Sequence, residues 1–234
     1  MPAPHFCVLF DLDGTLVDTA PDLTGALNTL LVAEGRPRVN ESDVRHMVGH
    51  GARSLILRGF ALTGIALDEE REQARIDALV VKYLSTYQAN ITRASRAFPG
   101  VAKALETLAD KGAVMGVCTN KVEDLSHELL AKLGLADHFG AVIGGDTLPL
   151  RKPDAEPLLE AMRRLNAQKL PAVMIGDSES DVGAARNAHI PVILVSFGYT
   201  PVPAAELGGD VVIDHFDALL PAISKLLGLE NTGG

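Results

Sequence analysis

Short apolar runs separated by helical patterns constrain the fold of this chain more than any other feature of its sequence. The runs are residues 6–10, 113–118, 141–143, 172–175, 192–195 and 211–213. Strands that alternate with helices form a parallel sheet, because each parallel connection needs a crossover that a helix can supply. We therefore predict an α/β fold in which helices cover both faces of a parallel sheet.

A long gap between the first and second runs holds helical patterns and no convincing strand. The predicted helices run from Pro21 to Gly35, over 42–48, 52–62 and 68–91, and, beyond a turn at 98–100, over 101–111. Asp18 and Thr19 can cap the first of them, with Pro21 in its first turn. We interpret residues 18–97 as a helical cap inserted after the first strand of a Rossmann-like core, which comprises residues 1–17 and 98–234.

Charge and hydropathy argue against several classes of partner. The net charge is -9 and the sequence pI about 5.2, and no stripe of Lys and Arg could follow a nucleic-acid backbone. Residues 1–10 contain no leader pattern, and no apolar stretch approaches the roughly 20 residues that cross a bilayer. We expect a cytoplasmic protein, a monomer or a homodimer, with buried reduced thiols at Cys7 and Cys118 and a frayed tail at Gly233 and Gly234.

Polar clusters follow the first four apolar runs. They are Asp11-Leu12-Asp13-Gly14-Thr15, Thr119-Asn120-Lys121, Lys152-Pro153 and Gly176-Asp177-Ser178-Glu179-Ser180-Asp181. Taken singly, each has an ordinary structural interpretation, such as an acidic turn, a helix cap or a surface lysine before a helix. Ligands of open α/β sheets bind at the carboxyl ends of the strands, so all four clusters are expected to line one crevice.

These clusters resemble, in order, the four motifs of the haloacid dehalogenase superfamily. The matching residues are Asp11-x-Asp13-Gly14-Thr15, Thr119, Lys152-Pro153 and Gly176-Asp177-x-x-x-Asp181. The resemblance covers the whole chain, and the helical insert looks like the smaller type of cap in that superfamily. The stretch from Asp11 to Asp22 looks most like the phosphoglycolate phosphatase branch.

The resemblance implies a phosphatase that works through an aspartyl-phosphate. Asp11 is the expected nucleophile and Asp13 the general acid and base, because an alkoxide leaving group needs a proton. Lys152 would neutralise the transferring phosphoryl group and Thr119 would bind its oxygens, with Asn120 a further candidate. Lys121 and Arg151, which could compete for the positive role, are most simply solvated neighbours.

A divalent metal is also implied. Carboxylates beside a phosphate dianion would repel it unless a cation intervenes, and hard oxygen ligands with room for water suit Mg²⁺. The expected ligands are Asp11, Asp13, which also offers its backbone carbonyl, and Asp177. The resemblance makes Asp181 either an alternative ligand or a residue that orients a metal-bound water or Lys152.

The choice of substrate is expected to fall to the cap. The glycine-containing stretch 48–53 resembles the specificity loop of phosphoglycolate phosphatases, and Arg53 or a backbone nest near Gly51 could bind the carboxylate of 2-phosphoglycolate. His50 receives no role. Other small sugar or amino-sugar phosphates, pyrophosphate, a phosphomutase reaction and ligand binding without turnover remain alternatives. Phosphonate cleavage is disfavoured, because Lys82 is the only lysine of the insert and lies within a predicted helix.

Overall fold

The computed structural model describes residues 5–229, so the predicted tail at Gly233 and Gly234 lies outside the described residues. The strands are β1 (Phe6–Phe10), β2 (Val17–Asp18), β3 (Arg96–Ala97), β4 (Ala113–Cys118), β5 (Ala141–Ile143), β6 (Ala172–Gly176), β7 (Val192–Val195) and β8 (Val211–Ile213). Within the described residues, one parallel sheet has the order β5-β4-β1-β6-β7-β8. Its strands are the six predicted runs, with Gly176 added to β6, and the α/β fold class is confirmed.

Helices connect the strands and cover both faces of the sheet. They are α1 (Ala20–Ala33), α2 (Glu41–Arg45), α3 (Gly51–Leu62), α4 (Gln73–Gln88), α5 (Val101–Asp110), α6 (Glu123–Lys132), α7 (Glu156–Arg164), α8 (Glu179–Asn187) and α9 (Leu219–Leu227). Helices α5, α6 and α9 pack on one face, and α7 and α8 on the other. Among residues 5–229, no helix combines the length and the apolarity that a membrane span requires.

Side chains of β1 alternate between the two faces, and both faces are buried. Phe6, Val8 and Phe10 belong to the larger apolar cluster, whereas Cys7 and Leu9 belong to the smaller one. A strand covered on both faces is apolar throughout, which explains why this run shows no polar alternation. Cys7 is a buried free thiol, as predicted, and burial raises its pKa to about 12. Cys118 is likewise buried and free.

A two-stranded ribbon that the sequence did not predict joins the helical segment to the sheet. Strand β2 pairs antiparallel with β3, Val17 opposite Ala97, and the Phe98 N–H donates to Leu16 O at 3.0 Å. Two residues are too few for a periodic pattern, so the ribbon gave no signal. The two connections to helices α1–α4 therefore run side by side. The predicted domain boundary at 17/18 falls within β2, and the boundary at 97/98 falls directly after β3.

The first residues of α1 differ from the prediction. Neither Asp18 nor Thr19 caps the helix through its side chain. The Tyr199 hydroxyl instead accepts from the N–H groups of Thr19 (2.7 Å) and Ala20 (3.0 Å) and donates to Asp18 Oδ1 (2.5 Å). A tyrosine from the sheet domain thus satisfies orphan N–H groups that a local cap would otherwise satisfy.

Helix α4 is shorter than the predicted helical stretch 68–91. It begins at Gln73, because the Asp68 side chain accepts hydrogen bonds from the N–H groups of Glu70 (3.1 Å) and Arg71 (3.2 Å). Such a side-chain turn offers the backbone an alternative to the helix. The amphipathic face of α4 packs against α1 and α3.

Candidate active site

Three adjacent strands end in polar residues at one edge of the sheet. Asp11 follows β1, Thr119 follows β4 and Asp177 follows β6, and β1 lies between the other two strands. The Asp11 N–H donates to Ile175 O at 2.8 Å, so the hydrogen-bond ladder holds the residue in place. All three side chains are buried. The structure therefore brings together residues that stand far apart in the chain.

Lys152 enters this group from the loop between β5 and α7. The pair Lys152-Pro153 was predicted to open a helix, but α7 begins three residues after Pro153. Its Nζ lies 2.9 Å from Asp11 Oδ1 and 2.6 Å from Asp181 Oδ1, and the side chain is buried. Burial works against the charged ammonium, but Asp11 and Asp181 outweigh it and hold the pKa of Lys152 above its ordinary value. The two carboxylates therefore favour the charged form of this lysine.

Asp181 is held in place by hydrogen bonds at the start of α8. Its Oδ2 accepts from the N–H groups of Asp177 (3.1 Å) and Ser178 (3.0 Å) and from Ser178 Oγ (2.7 Å). This reciprocal arrangement with Ser178 is a capping box. Gly176 makes room for it, because a Cβ there would collide with the Asp181 carboxyl group.

A cluster of buried carboxylates fits a metal ion. Asp11, Asp177 and Asp181 each offer one oxygen, and these oxygens lie within 4.8 Å of one another. Three carboxylates outweigh the single ammonium of Lys152. Burial raises the pKa of Asp177 well above its ordinary value, and Asp181 and Asp11 raise it further. Among residues 5–229, Asp11 Oδ1 has no hydrogen bond of regular geometry, so this donor set suits a hard divalent cation.

Burial also raises the pKa of the Asp11 carboxyl to about 6, although Lys152 opposes the shift. The cluster of carboxylates contains Asp181 and not Asp13, whose carboxylate pairs with Lys121. Because both oxygens of Asp181 already accept hydrogen bonds, the backbone carbonyl of Asp13 remains the better candidate for a third ligand.

Lys121 is not the solvated neighbour that the sequence suggested. Its side chain is only 5% exposed, and its Nζ donates to both oxygens of Asp13 at 3.1 Å and to the Tyr87 hydroxyl at 2.9 Å. The ammonium also lies 4.3 Å from the centre of the Tyr87 ring. The prediction that solvent surrounds Lys121 was wrong because Tyr87 of α4, which is distant in the sequence, packs against it. Arg151, by contrast, is exposed as predicted.

Asn120 connects the helical segment to the sheet domain. Its side-chain amide donates to Gly49 O (2.8 Å) and to Lys152 O (3.1 Å). The Thr119 hydroxyl accepts weakly from the Lys121 N–H at 3.3 Å. Since that hydroxyl still has its proton to donate, Thr119 can bind an anion beside Asp11.

The structure does not place Arg53 at the site. Its guanidinium pairs with Glu69 (3.4 Å) and Asp77 (2.7 Å) on the outer side of the helical segment. The expectation that Arg53 binds a substrate carboxylate is therefore corrected for this conformation. His50 lies in a second cavity that Arg58 and Glu179 also line, and burial lowers the pKa of its imidazole.

One cavity extends from Asp11 and Asp13 toward the helical segment. The polar residues that line it with them are Thr119, Asn120, Lys121 and two tyrosines of α4, Tyr83 and Tyr87. Its other walls are Leu23, Val48, Gly49, Gly51, Ala52, Leu55, Leu84, Val122 and Leu125. The two tyrosines escaped the sequence analysis because their positions on an amphipathic helix match those of ordinary core residues.

The fold and this site together define the class of the protein. A buried aspartate, a lysine and a threonine meet at the carboxyl edge of a parallel α/β sheet, in a cavity closed by helices. This arrangement supplies a nucleophile and positive charge for a phosphoryl group. The chain is a phosphatase.

Comparisons with known proteins give the family. A model of the haloacid dehalogenase-like hydrolases matches residues 8–195, and the chain belongs to this family. It is 46% identical over 219 residues to a phosphoglycolate phosphatase of Agrobacterium fabrum, a match that covers 94% of this chain and 92% of the relative. It is 49% identical over 209 residues to a phosphoglycolate phosphatase of Caulobacter vibrioides, with coverage of 89% and 86%.

A solved structure agrees with these relatives. The crystal structure of a predicted phosphoglycolate phosphatase from Haemophilus somnus superposes with a TM-score of 0.84 at 28% identity. The superposition covers 95% of this chain and 99% of that one. The family resemblance and the phosphatase activity inferred from the motifs are confirmed.

Proposed function

We propose that the chain is a Mg²⁺-dependent phosphomonoesterase that converts 2-phosphoglycolate to glycolate and phosphate. The observation that supports it most is Asp11, a buried carboxylate 2.9 Å from Lys152 that opens on the same cavity as Asp13. The names of the relatives support the substrate, as does the cavity itself. Its only lysine or arginine among the described residues is Lys121, and leucine, valine, alanine and glycine residues form most of its walls, which favours a short anionic substrate.

In the proposed reaction, one oxygen of Asp11 attacks phosphorus while the bond from phosphorus to the ester oxygen breaks. Asp13 donates its proton to the leaving oxygen, so that the alcohol departs neutral. A water molecule then attacks phosphorus and gives a proton to Asp13, and the bond from Asp11 to phosphorus breaks. Lys152 offsets the charge of the phosphoryl oxygens, and the Thr119 hydroxyl binds them. The side-chain amide of Asn120 donates to Gly49 O and Lys152 O, so Asn120 supports the site rather than binding the phosphoryl group.

Asp11, Asp177 and the backbone carbonyl of Asp13 would hold the Mg²⁺ ion. When bound, the ion supplies the positive charge that lets a phosphate dianion approach these carboxylates. Asp181 positions Lys152 and the start of α8 rather than contacting the substrate.

The remaining parts of the proposal concern organisation. Residues 18–97 form a cap that closes on a core of residues 1–17 and 98–234, and the cap selects the substrate. The protein acts in the cytoplasm as a monomer or a homodimer, which size-exclusion chromatography with light scattering distinguishes.

The test is phosphate release from a panel that contains 2-phosphoglycolate, sugar phosphates, 6-phosphorylated amino sugars, nucleotides and pyrophosphate. We expect a strong preference for 2-phosphoglycolate that needs Mg²⁺, is abolished by a chelator and is abolished in Asp11→Asn. The exposed Asp110→Asn is the matched control and should keep full activity. Preference for another substrate would keep the mechanism and overturn the assignment to 2-phosphoglycolate, and release by Asp11→Asn would overturn the mechanism.

A further inference from the structure

The Tyr83 hydroxyl is a buried polar group that lacks a partner. The residue is 1% exposed, and among residues 5–229 its hydroxyl has no hydrogen-bond partner. Burial raises the pKa of Tyr83 well above its ordinary value, so it stays a neutral donor. A buried hydroxyl without a partner is costly and uncommon in proteins. Because Tyr83 lines the cavity that holds Asp11, a bound ligand is the natural partner.

Two further donors belong to residues that line the same cavity. Tyr87 stacks against Tyr83 with ring centroids 6.4 Å apart, and its hydroxyl accepts from Lys121 Nζ, which leaves its own proton free to donate. Within the described part of the chain, Lys121 is the one lysine or arginine that lines this cavity. One ammonium and two phenol groups form a set of donors that suits an anion.

This anion is not the phosphoryl group. That group must lie against Asp11, where Lys152 and Thr119 already serve it. Lys121 lies two residues after Thr119 and contacts Asp13 instead, with both carboxylate oxygens at 3.1 Å. The second anion therefore lies on the far side of the leaving oxygen, toward α4.

We propose that Lys121, Tyr83 and Tyr87 bind the carboxylate of the substrate, so that α4, rather than the 48–53 loop, sets specificity. This inference rests on the proposed function and adds the residues that recognise the acid group. One carbon separates the leaving oxygen of 2-phosphoglycolate from its carboxylate. Because Asp13 acts on the leaving oxygen, the ammonium beside Asp13 lies on the side of the substrate where that carboxylate must be.

The same geometry implies an exchange of partners. In the structure, Lys121 holds the Asp13 carboxylate, and the substrate carboxylate would replace it on the ammonium. Asp13 is then free to turn toward the leaving oxygen. A substrate without a carboxylate leaves Asp13 bound to Lys121, which gives the subsite an effect on turnover as well as on binding.

The test compares 2-phosphoglycolate with 2-hydroxyethyl phosphate, a substrate of equal length without a carboxylate. In Lys121→Gln we expect kcat/KM for 2-phosphoglycolate to fall at least about 10-fold more than kcat/KM for the neutral ester, as for a lost charged hydrogen bond. In Tyr83→Phe the ratio should fall about 3-fold or more. The inhibition constant of inorganic phosphate should be the same in both variants as in the wild type, because the site that binds the phosphoryl group is intact. The control is Lys82→Gln, which replaces an exposed lysine on α4, the helix that contains Tyr83.

Tyr83→Phe should also melt at the same temperature as the wild type or higher, because it removes an unsatisfied hydroxyl. Equal losses on both substrates would overturn the inference and leave Lys121 as a support of Asp13 alone. An unchanged ratio in Tyr83→Phe would overturn the role of α4, and this variant decides the matter if Lys121→Gln does not fold. A wild type without preference for the carboxylated substrate would overturn the proposed function itself, a failure visible before any variant is made.

Discussion

Lys152 stands between two buried carboxylates, and this trio sets the electrostatics of the site. Its ammonium lies 2.9 Å from Asp11 and 2.6 Å from Asp181, and Asp177 completes an excess of negative charge. Burial without a metal disfavours the ionised form of Asp11, so its pKa rises to about 6. The excess of negative charge is therefore costly until a divalent cation offsets it.

Asp11→Asn is expected to stabilise the metal-free protein above pH 6. The folded-state pKa of Asp11 is raised from 3.8 to about 6, so the stability that the protonated carboxyl provides is full below pH 3.8 and is lost as the pH rises through 6. This difference amounts to at most about 3 kcal/mol, and the neutral amide avoids it. Urea unfolding with chelator at pH 5 and pH 8 measures the effect, which should be larger at pH 8. A variant that is less stable than the wild type at pH 8 would show that the ion pair with Lys152 outweighs burial.

At the scale of elements, the turn from β6 into α8 determines where Asp177 and Asp181 lie. The capping box of Ser178 and Asp181 fixes the first turn of α8, and Gly176 lets the Asp181 carboxyl group pass close to the strand. A helix start is thus shaped to hold Asp181 against Lys152. Gly176, Ser178 and Asp181 therefore determine both the backbone geometry of this turn and the position of a negative charge beside Lys152.

Gly176→Ala is expected to destabilise the protein by about 1–3 kcal/mol, because the new methyl group must displace the Asp181 carboxyl group. Gly25→Ala is the matched control. It lies exposed in α1 with no heavy atom near its Cβ position, and it should stabilise the protein by about 0.5–1 kcal/mol through helix propensity. Thermal melts of the two variants beside the wild type test both signs. Equal small effects would show that the turn relaxes around the added methyl group.

At the scale of the whole molecule, Tyr199 connects the helical segment to the carboxylate cluster. Its N–H donates to Asp177 Oδ2 at 2.6 Å, and its hydroxyl contacts Asp18, Thr19 and Ala20 at the entry to α1. Arg45 of α2 pairs with Asp18 at 2.9 Å and lies 5.0 Å from the centre of the Tyr199 ring. One residue therefore contacts both a carboxylate of the cluster and the connection about which a cap would move.

Tyr199→Phe is expected to cost about 1–3 kcal/mol, because two buried N–H groups lose their acceptor. Hydrogen exchange should speed up at the amides of Thr19 and Ala20, and mass spectrometry of the peptide that contains them measures it. Tyr83→Phe is the control, since its hydroxyl has no partner among the described residues and its loss should not destabilise the fold. Unchanged exchange in Tyr199→Phe would show that the main chain alone holds this connection.

Local patterns determined most of the fold. The six strands, the α/β class and the helical character of the insert followed from apolar runs and periodicity, because these depend on neighbours in the chain. The same holds for the motif residues Asp11, Thr119, Lys152 and Asp177, since the ends of parallel strands meet at one edge whatever the loops do. The ribbon of β2 and β3 left no such signal, being two residues long on each side.

Only the tertiary structure decided which side chains surround those motifs. Lys121 and Asp13 are 108 residues apart, and Tyr199 and Thr19 are 180 apart, so neither contact leaves a trace in local spacing. Tyr83 resembles any core residue of an amphipathic helix, and the sequence placed Arg53 in a stretch expected to reach the substrate, whereas it lies in the first turn of α3. The position of α4 over the edge of the sheet places Tyr83 at the cavity, and Asp77 of the same helix pairs with Arg53 away from it. Packing of the helices against one another sets that position, and packing sums many distant contacts that no short stretch of sequence contains.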